Sequence, residues 1–99
     1  MHTIRLRDPW DYSPAEAGGT WSRKFKWPAG PVGGAVVTLV LDPATDTATV
    51  TINGQAVAES RPGRYDISRT LADRNEARVA SEAFSPAVRP FEARLEIEE

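Results

Sequence analysis

Hydrophobic and polar residues alternate one by one along several short segments of this chain. In residues 48–53, Ala48, Val50 and Ile52 point one way, and the two intervening threonines point the other. A repeat of two places successive side chains on opposite faces of an extended chain. The segment is therefore predicted to be a strand with one buried face.

The residues after this strand predict a tight reversal of the chain. Asn53 and Gly54 both accept the positive φ angles that a two-residue type I′ hairpin requires. The chain is then expected to return as a short strand over residues 55–58. A hairpin of this kind sets the register between its two strands.

The same alternation, interrupted at short intervals by proline and glycine, predicts further short strands. Residues 35–41 are apolar on both faces, which is typical of a central strand covered on both sides. The other predicted strands are residues 3–7, 20–27, 76–80 and 90–98. Seven short strands with close turns predict an all-β fold, an antiparallel two-sheet β-sandwich with at most one or two short helical turns.

The remaining segments are rich in residues that favour loops and turns. Residues 8–19, 28–34 and 59–64 are expected to be loops or turns. Ser68 is expected to cap one short helical turn, and Asn75 is expected to end it in the left-handed conformation.

Length and composition limit the class of protein. The 99 residues suffice for one domain with its own core, so residues 1–99 are predicted to form a single β-sandwich domain. The chain has no cysteine, which excludes disulfides and thiolate metal sites. No apolar run suits a signal peptide or a membrane span, so we expect no membrane association and a cytoplasmic location, with secretion left open.

The charge of the chain argues against one class of partner. The net charge is −2, whereas general nucleic-acid binding needs a cationic surface. The one local basic cluster, Arg23, Lys24 and Lys26, is expected to line a solvated face of its strand. No nucleic-acid partner is therefore predicted.

The order of several motifs resembles that of a glycosidase family. The motifs lie within residues 20–80 and comprise Trp21, Arg23, Phe25 and Pro28, the apolar strand, the hairpin through Val57, Tyr65-Asp66-Ile67-Ser68, Leu71, Asn75 and Val79. Together they resemble the jelly-roll sugar-binding domain of β-galactosidase and β-glucuronidase type glycosidases, which has a galactose-binding-domain-like fold. The resemblance implies a jelly roll and a sugar ligand. Because the family's catalytic groups lie in a separate barrel, it implies no catalytic residue and no enzyme activity.

Aromatic residues in loops are the candidates for sugar binding, because sugar rings stack on aromatic faces. Trp10 and Tyr12 flank Asp11, which would add a carboxylate acceptor. The alternative is that this loop plugs the open end of the sandwich. Arg64 and Tyr65 form a second polar and aromatic group, for which the alternative is a solvated loop. These five residues are the predicted ligand site, and no metal site or cofactor is predicted.

Two functions remain open at this point. The first is a small non-catalytic binding module, with carbohydrate as the ligand that the resemblance implies. The second is a structural or protein–protein interaction domain, whose partner would be another protein or a second copy of the chain. A cleft lined by Trp10, Tyr12 and Arg64 would favour the first, and a flat apolar patch or a paired edge strand the second.

Overall fold

The computed structural model describes residues 2–27, 35–45 and 47–98 of the chain. These residues contain ten strands and no helix. The strands are β1 (His2–Arg5), β2 (Asp11–Pro14), β3 (Gly19–Lys26), β4 (Val36–Asp42), β5 (Thr49–Ile52), β6 (Gln55–Val57), β7 (Glu59–Arg61), β8 (Arg64–Asp66), β9 (Arg74–Ser81) and β10 (Glu92–Glu98). The predicted turn over residues 28–34, including Pro28 of the glycosidase motif, lies outside the described residues.

The described strands form two antiparallel sheets of five strands each. The first sheet has the order β1-β10-β4-β8-β7, and the second has the order β2-β3-β9-β5-β6. The sheets pack face to face around one hydrophobic core. This arrangement confirms the predicted all-β, antiparallel two-sheet sandwich.

The core is built from the inward positions that the alternation predicted. Val50 and Ile52 of β5 are 1% and 0% exposed, and Leu95 of β10 is 1% exposed. The central strand β4 is covered unevenly, because Val40 on its outer face is buried while Val36 is exposed. The core cluster comprises Leu6, Trp10, Trp21, Phe25, Val37, Leu39, Leu41, Val50, Ile52, Tyr65, Ile67, Ala77, Val79, Phe84, Phe91, Ala93, Leu95 and Ile97.

The hairpin between β5 and β6 turns where it was predicted to turn. Asn53 has a φ of 53° and Gly54 a φ of 81°, as a type I′ turn requires. The Asn53 side chain also ties this turn to its neighbours. Its Nδ2 donates to the Thr70 carbonyl and to Asn75 Oδ1, each at 2.9 Å, and its Oδ1 accepts the Glu76 N–H at 2.9 Å.

The prediction for Asn75 is wrong. Asn75 lies inside β9, is 4% exposed, and has no positive φ. Its amide exchanges two hydrogen bonds of 2.8 Å with the backbone of Ala72. An amide suits this position because it supplies both a donor and an acceptor to the backbone of Ala72, which lies just before β9 and is not paired in the sheet.

The helical turn predicted after Ser68 does not form. The Thr70 N–H donates to the Ile67 carbonyl at 3.0 Å, which gives an isolated turn. The Ser68 hydroxyl instead accepts the Val37 N–H at 2.8 Å and donates to Asp66 at 2.7 Å. Ser68 thus extends the pairing of β4 and β8 by one side-chain bond and does not cap a helix.

Three strands lie where loops were predicted. The strand β2 lies within residues 8–19, and β7 and β8 lie in or just after residues 59–64. Both β2 and β7 are edge strands of their sheets. Edge strands bury little and tolerate proline and charge, so their hydrophobic pattern is weak.

Candidate functional site

Trp10, the first residue of the predicted ligand site, is buried. It is 7% exposed, and its ring packs edge-on against Phe91 with 5.4 Å between the centroids. Its indole N–H donates to the Leu6 carbonyl at 2.9 Å, and the Arg89 guanidinium lies 5.3 Å from the ring centroid. This arrangement matches the plug alternative and leaves Trp10 without an open face for stacking.

Tyr12 is also occupied by contacts within the protein. Its ring lies 5.0 Å from that of Trp21, and its hydroxyl donates to the Phe84 carbonyl at 3.2 Å. Asp11 is exposed on the edge strand β2. The carboxylate of the predicted site is therefore accessible, but the aromatic platform beside it is not.

Arg64 and Tyr65 are consecutive on β8, so their side chains lie on opposite faces of the first sheet. Tyr65 is 2% exposed, and its hydroxyl donates to Glu59 at 3.5 Å. Burial, together with the charge of Glu59, raises the pKa of the Tyr65 hydroxyl. Arg64 lies on the outer face, where its Nη1 is 2.7 Å from Glu96 Oε1.

The structure does not bring the two predicted groups together. Trp10 precedes the edge strand of the second sheet, whereas Arg64 and Tyr65 lie within the first sheet. Within the described part of the chain, no hydrogen bond, ion pair or ring contact joins the groups. The cleft expected from Trp10, Tyr12 and Arg64 is not assembled.

A different concave surface opens at the side of the sandwich, between β1 of the first sheet and β3 of the second. It has a volume of about 610 Å³. We call it the lateral groove and define it by its lining: Ile4, Leu6, Phe25 and Leu95 on the floor, with Arg5, Arg23, Lys24, Lys26, Arg74 and Asn75 around them.

The lateral groove exists because the sheets end at this side. The strand β9 pairs with all of β3, but β2 pairs only with the part from Gly19 to Ser22. Residues 23–26 therefore have no neighbouring strand on that side among the described residues. The strand β1 is likewise the edge of the first sheet. Two unpaired strand edges thus flank the groove.

The lining of the lateral groove is strongly cationic. Five of its residues are arginine or lysine, and none is acidic. The Arg23 guanidinium donates to the backbone carbonyls of Arg7 and Lys24. The other four, Arg5, Lys24, Lys26 and Arg74, make no ion pair with any described carboxylate.

Sequence reasoning found only part of this cationic group. Arg23, Lys24 and Lys26 are adjacent in sequence and were predicted to line a solvated face. Arg5 and Arg74 come from distant segments, and the strand pairing alone places them at the same groove. Alternation within β1 indicates that Arg5 faces outward, but no local feature of the sequence indicates which other cations lie beside it.

A second cleft, of about 950 Å³, has a different electrostatic character. Arginine and carboxylate side chains are mixed along its wall. Arg89 pairs there with Asp8 and Glu92, and Arg94 lies 3.8 Å from Asp42. Because these charges neutralise one another, the second cleft offers less attraction to a charged ligand than the lateral groove.

The histidine, aspartate and glutamate side chains of the described residues form no group of three or more that could hold a metal ion. The described residues also include no helix that is long and apolar enough to cross a membrane.

Comparison with known proteins supports the fold. No protein-family model matches the sequence, and no curated protein matches it. The fold is similar to that of a solved structure, the FMN-binding beta-glucuronidase from Facaelibacterium prausnitzii L2-6, with a TM-score of 0.67 and 21% identity. The match covers 95% of this chain and 22% of that chain, so this chain spans about a fifth of its length. The likeness shows that this chain shares its all-β fold with part of that structure.

Proposed function

We propose that this chain is a small non-catalytic binding module and that its ligand is a carbohydrate held in the lateral groove. The observation that carries the proposal is the groove itself, which combines an apolar floor with hydrogen-bond donors on both walls. Ligand sites are typically concave, mostly apolar and provided with a few polar groups. The assignment to the jelly-roll, galactose-binding-domain-like folds is part of the same proposal.

The chemistry of the groove suits a sugar. One face of a pyranose ring presents C–H groups, which would pack on the apolar floor at the partly buried Ile4. Its hydroxyl oxygens would accept hydrogen bonds from the arginine and lysine side chains. The similarity to a beta-glucuronidase supports carbohydrate as the ligand class.

A non-catalytic role fits the residues of the groove. Glycoside hydrolysis ordinarily uses two carboxyl groups on either side of the scissile bond. The described lining of the lateral groove contains no carboxylate. The groove therefore has the groups to hold a saccharide but not those to cleave it.

One observation favours a second candidate function. Among the described residues, no strand pairs with residues 23–26 of β3 on the side away from β9, and a strand edge of this kind can bind an extended peptide as an additional strand. In that case the chain would be a protein-interaction domain, and its partner would lie along the same groove.

An NMR titration of the ¹⁵N-labelled protein with a panel of neutral and acidic oligosaccharides tests the main proposal. We expect shifts of backbone amides that line the groove, such as Leu6, Lys24 and Phe25. A matched pair of variants sharpens the result. Lys24→Ala should weaken binding, whereas Ser22→Ala, on the same face of β3 but outside the groove, should leave it unchanged. Shifts confined to residues around Trp10, or no response at millimolar saccharide, would contradict the proposal.

A further inference from the structure

We propose that the lateral groove selects acidic saccharides, whose carboxylate or sulfate groups pair with the cations on its two walls. This selectivity presupposes the carbohydrate function proposed above and adds the charge class of the ligand. It predicts a ligand that carries more than one anionic group along a short linear chain.

The first argument is that these cations lack partners in a chain with enough acidic residues to pair them. The sequence has 14 acidic and 12 basic residues. Elsewhere, Arg64, Arg78, Arg89 and Arg94 each lie within ion-pair distance of a carboxylate. Of the eight arginine and lysine residues that make no ion pair with a described carboxylate, five line the lateral groove, and Arg7, Arg61 and Arg69 lie outside it. The larger share of these cations is therefore gathered at one groove.

The second argument is that two of the cations lie directly opposite each other on paired strands. Lys26 and Arg74 are register partners on β3 and β9, and directly opposed residues share one face of the sheet. Like charges in that arrangement destabilise a pair of strands. Glu76 lies opposite Lys24, but its carboxylate is 2.8 Å from Arg78. An anionic group bound between these side chains would relieve the repulsion.

The third argument is that the cations lie on two walls. Arg5 belongs to β1 of the first sheet, whereas Lys24, Lys26 and Arg74 belong to the second sheet. A ligand with one anionic group would satisfy one wall and leave the other unpaired. A chain of acidic sugar units would place anionic groups at both walls and its rings over the apolar floor.

The apolar floor separates an acidic saccharide from other polyanions. Proteins that bind single-stranded nucleic acid stack the bases on exposed aromatic side chains. The aromatic residue in the described lining, Phe25, is only 8% exposed. Aliphatic floor residues such as Ile4 suit the C–H face of a sugar ring, and a bare phosphate or sulfate ion would make no use of them.

The test compares a charged saccharide with the same saccharide without its charge. Isothermal titration of the 99-residue protein would use tetragalacturonate and its methyl ester, with sulfated and unsulfated cellotetraose as a second pair. We expect each neutral form to bind at least about tenfold more weakly than its acidic form. Affinity for the acidic forms should fall between about 50 mM and about 300 mM NaCl, since salt screens exposed charges. Binding by only one acidic form would identify which oxyanion the groove accepts.

Two arginines provide matched variants. Arg74→Gln removes a groove cation, whereas Arg61→Gln removes an exposed arginine of β7 that lies outside the groove and makes no ion pair with a described carboxylate. We expect Arg74→Gln to weaken tetragalacturonate binding about two- to fivefold, the range of an exposed ion pair, and Arg61→Gln to leave it unchanged. Adding Lys24→Gln to Arg74→Gln should bring the loss to about tenfold.

The outcomes separate this inference from the proposed function. Equal binding of the acid and its methyl ester would overturn the charge selectivity and leave carbohydrate binding intact. Equally tight binding of tetraglutamate, with the same dependence on Arg74, would overturn the saccharide class in favour of an acidic peptide. Failure of every saccharide to bind would overturn both.

Discussion

Arginine and lysine side chains have opposite roles on two surfaces of this protein. On the outer face of the first sheet, Arg64 and Arg94 flank Val40 from the neighbouring strands, and both bind Glu96, at 2.7 and 2.9 Å. Val40 is only 5% exposed beneath them. In the lateral groove, four cations lie together and make no ion pair with any carboxylate that the structure describes. The arginines around Glu96 stabilise the fold. The groove cations repel one another at a surface that we propose binds a ligand.

The difference indicates that the arginines around Glu96 contribute to stability, whereas the groove cations are the ones that we propose bind a ligand. An exposed ion pair contributes little by itself, about 0–1 kcal/mol. The cluster around Glu96 also covers an apolar side chain with the aliphatic stems of two arginines. The groove cations have no such compensation, and groups that lower stability in this way are typical of functional surfaces.

The largest expected effect concerns the core that both surfaces share. Ile52→Ala removes a fully buried side chain, so the free energy of unfolding should fall by about 2–5 kcal/mol, from lost contacts and the cavity left behind. Chemical denaturation measures this loss. A change below about 1 kcal/mol would show that Ile52 makes less of the core packing than its burial indicates.

The hairpin should show the next largest effect. Gly54 has a φ of 81°, where a β-branched side chain clashes with its own backbone. Gly54→Val should cost about 1–2 kcal/mol although the surrounding space is open. Thr51→Val, on the outer face of β5, should cost less. Equal denaturation midpoints for the two variants would show that backbone strain does not limit this turn.

Removing Glu96 should destabilise the outer face of the first sheet. Glu96→Gln leaves Arg64 and Arg94 without their shared partner, and we expect a loss of about 1 kcal/mol in the free energy of unfolding. Glu82→Gln is the control, because Glu82 is exposed and forms no ion pair with a described residue. A loss of the same size in both variants would refute a specific role for the cluster.

The same cluster predicts a pH dependence. The hydrogen bond from Arg64, followed by that from Arg94, lowers the pKa of Glu96 from its ordinary value of 4.5. A carboxyl whose pKa is lowered in the folded state stabilises the protein above its ordinary pKa, and this stabilisation is lost as the pH falls through the folded-state value. The difference in unfolding free energy between the wild type and Glu96→Gln should therefore shrink from about pH 7 to about pH 3. A constant difference in urea denaturation would contradict the assigned cause.

The smallest expected effect has the opposite sign. Arg74→Gln relieves the repulsion between Arg74 and Lys26 across β9 and β3, so it should raise the free energy of unfolding by about 0.2–1 kcal/mol. Arg94→Gln, which breaks an ion pair on the other surface, should lower it. If both substitutions destabilise the protein, the groove cations are not under mutual strain.

Features that depend only on residues adjacent in sequence were predicted correctly. Alternation in residues 48–53 and 90–98 identified the buried side chains, because the repeat of two is a local property of an extended chain. The Asn53-Gly54 turn is equally local. The edge strand β2 was missed because an edge strand has little apolar periodicity. Asn75 was assigned the wrong conformation because its role depends on the backbone of Ala72 and the side chain of Asn53.

In the strands with clear alternation, the sequence alone thus determined which side chains face the core, whereas only the tertiary structure decided where the charges meet. Nothing local distinguishes Lys24, which lines the groove unpaired, from Arg94, which is held by Glu96, since both are outward positions on strands. Lys26 and Arg74 become neighbours only because β3 and β9 pair in one register. Strand pairing depends on the burial of residues far apart in sequence, so the groove and its unpaired cations arise only when the two sheets pack together.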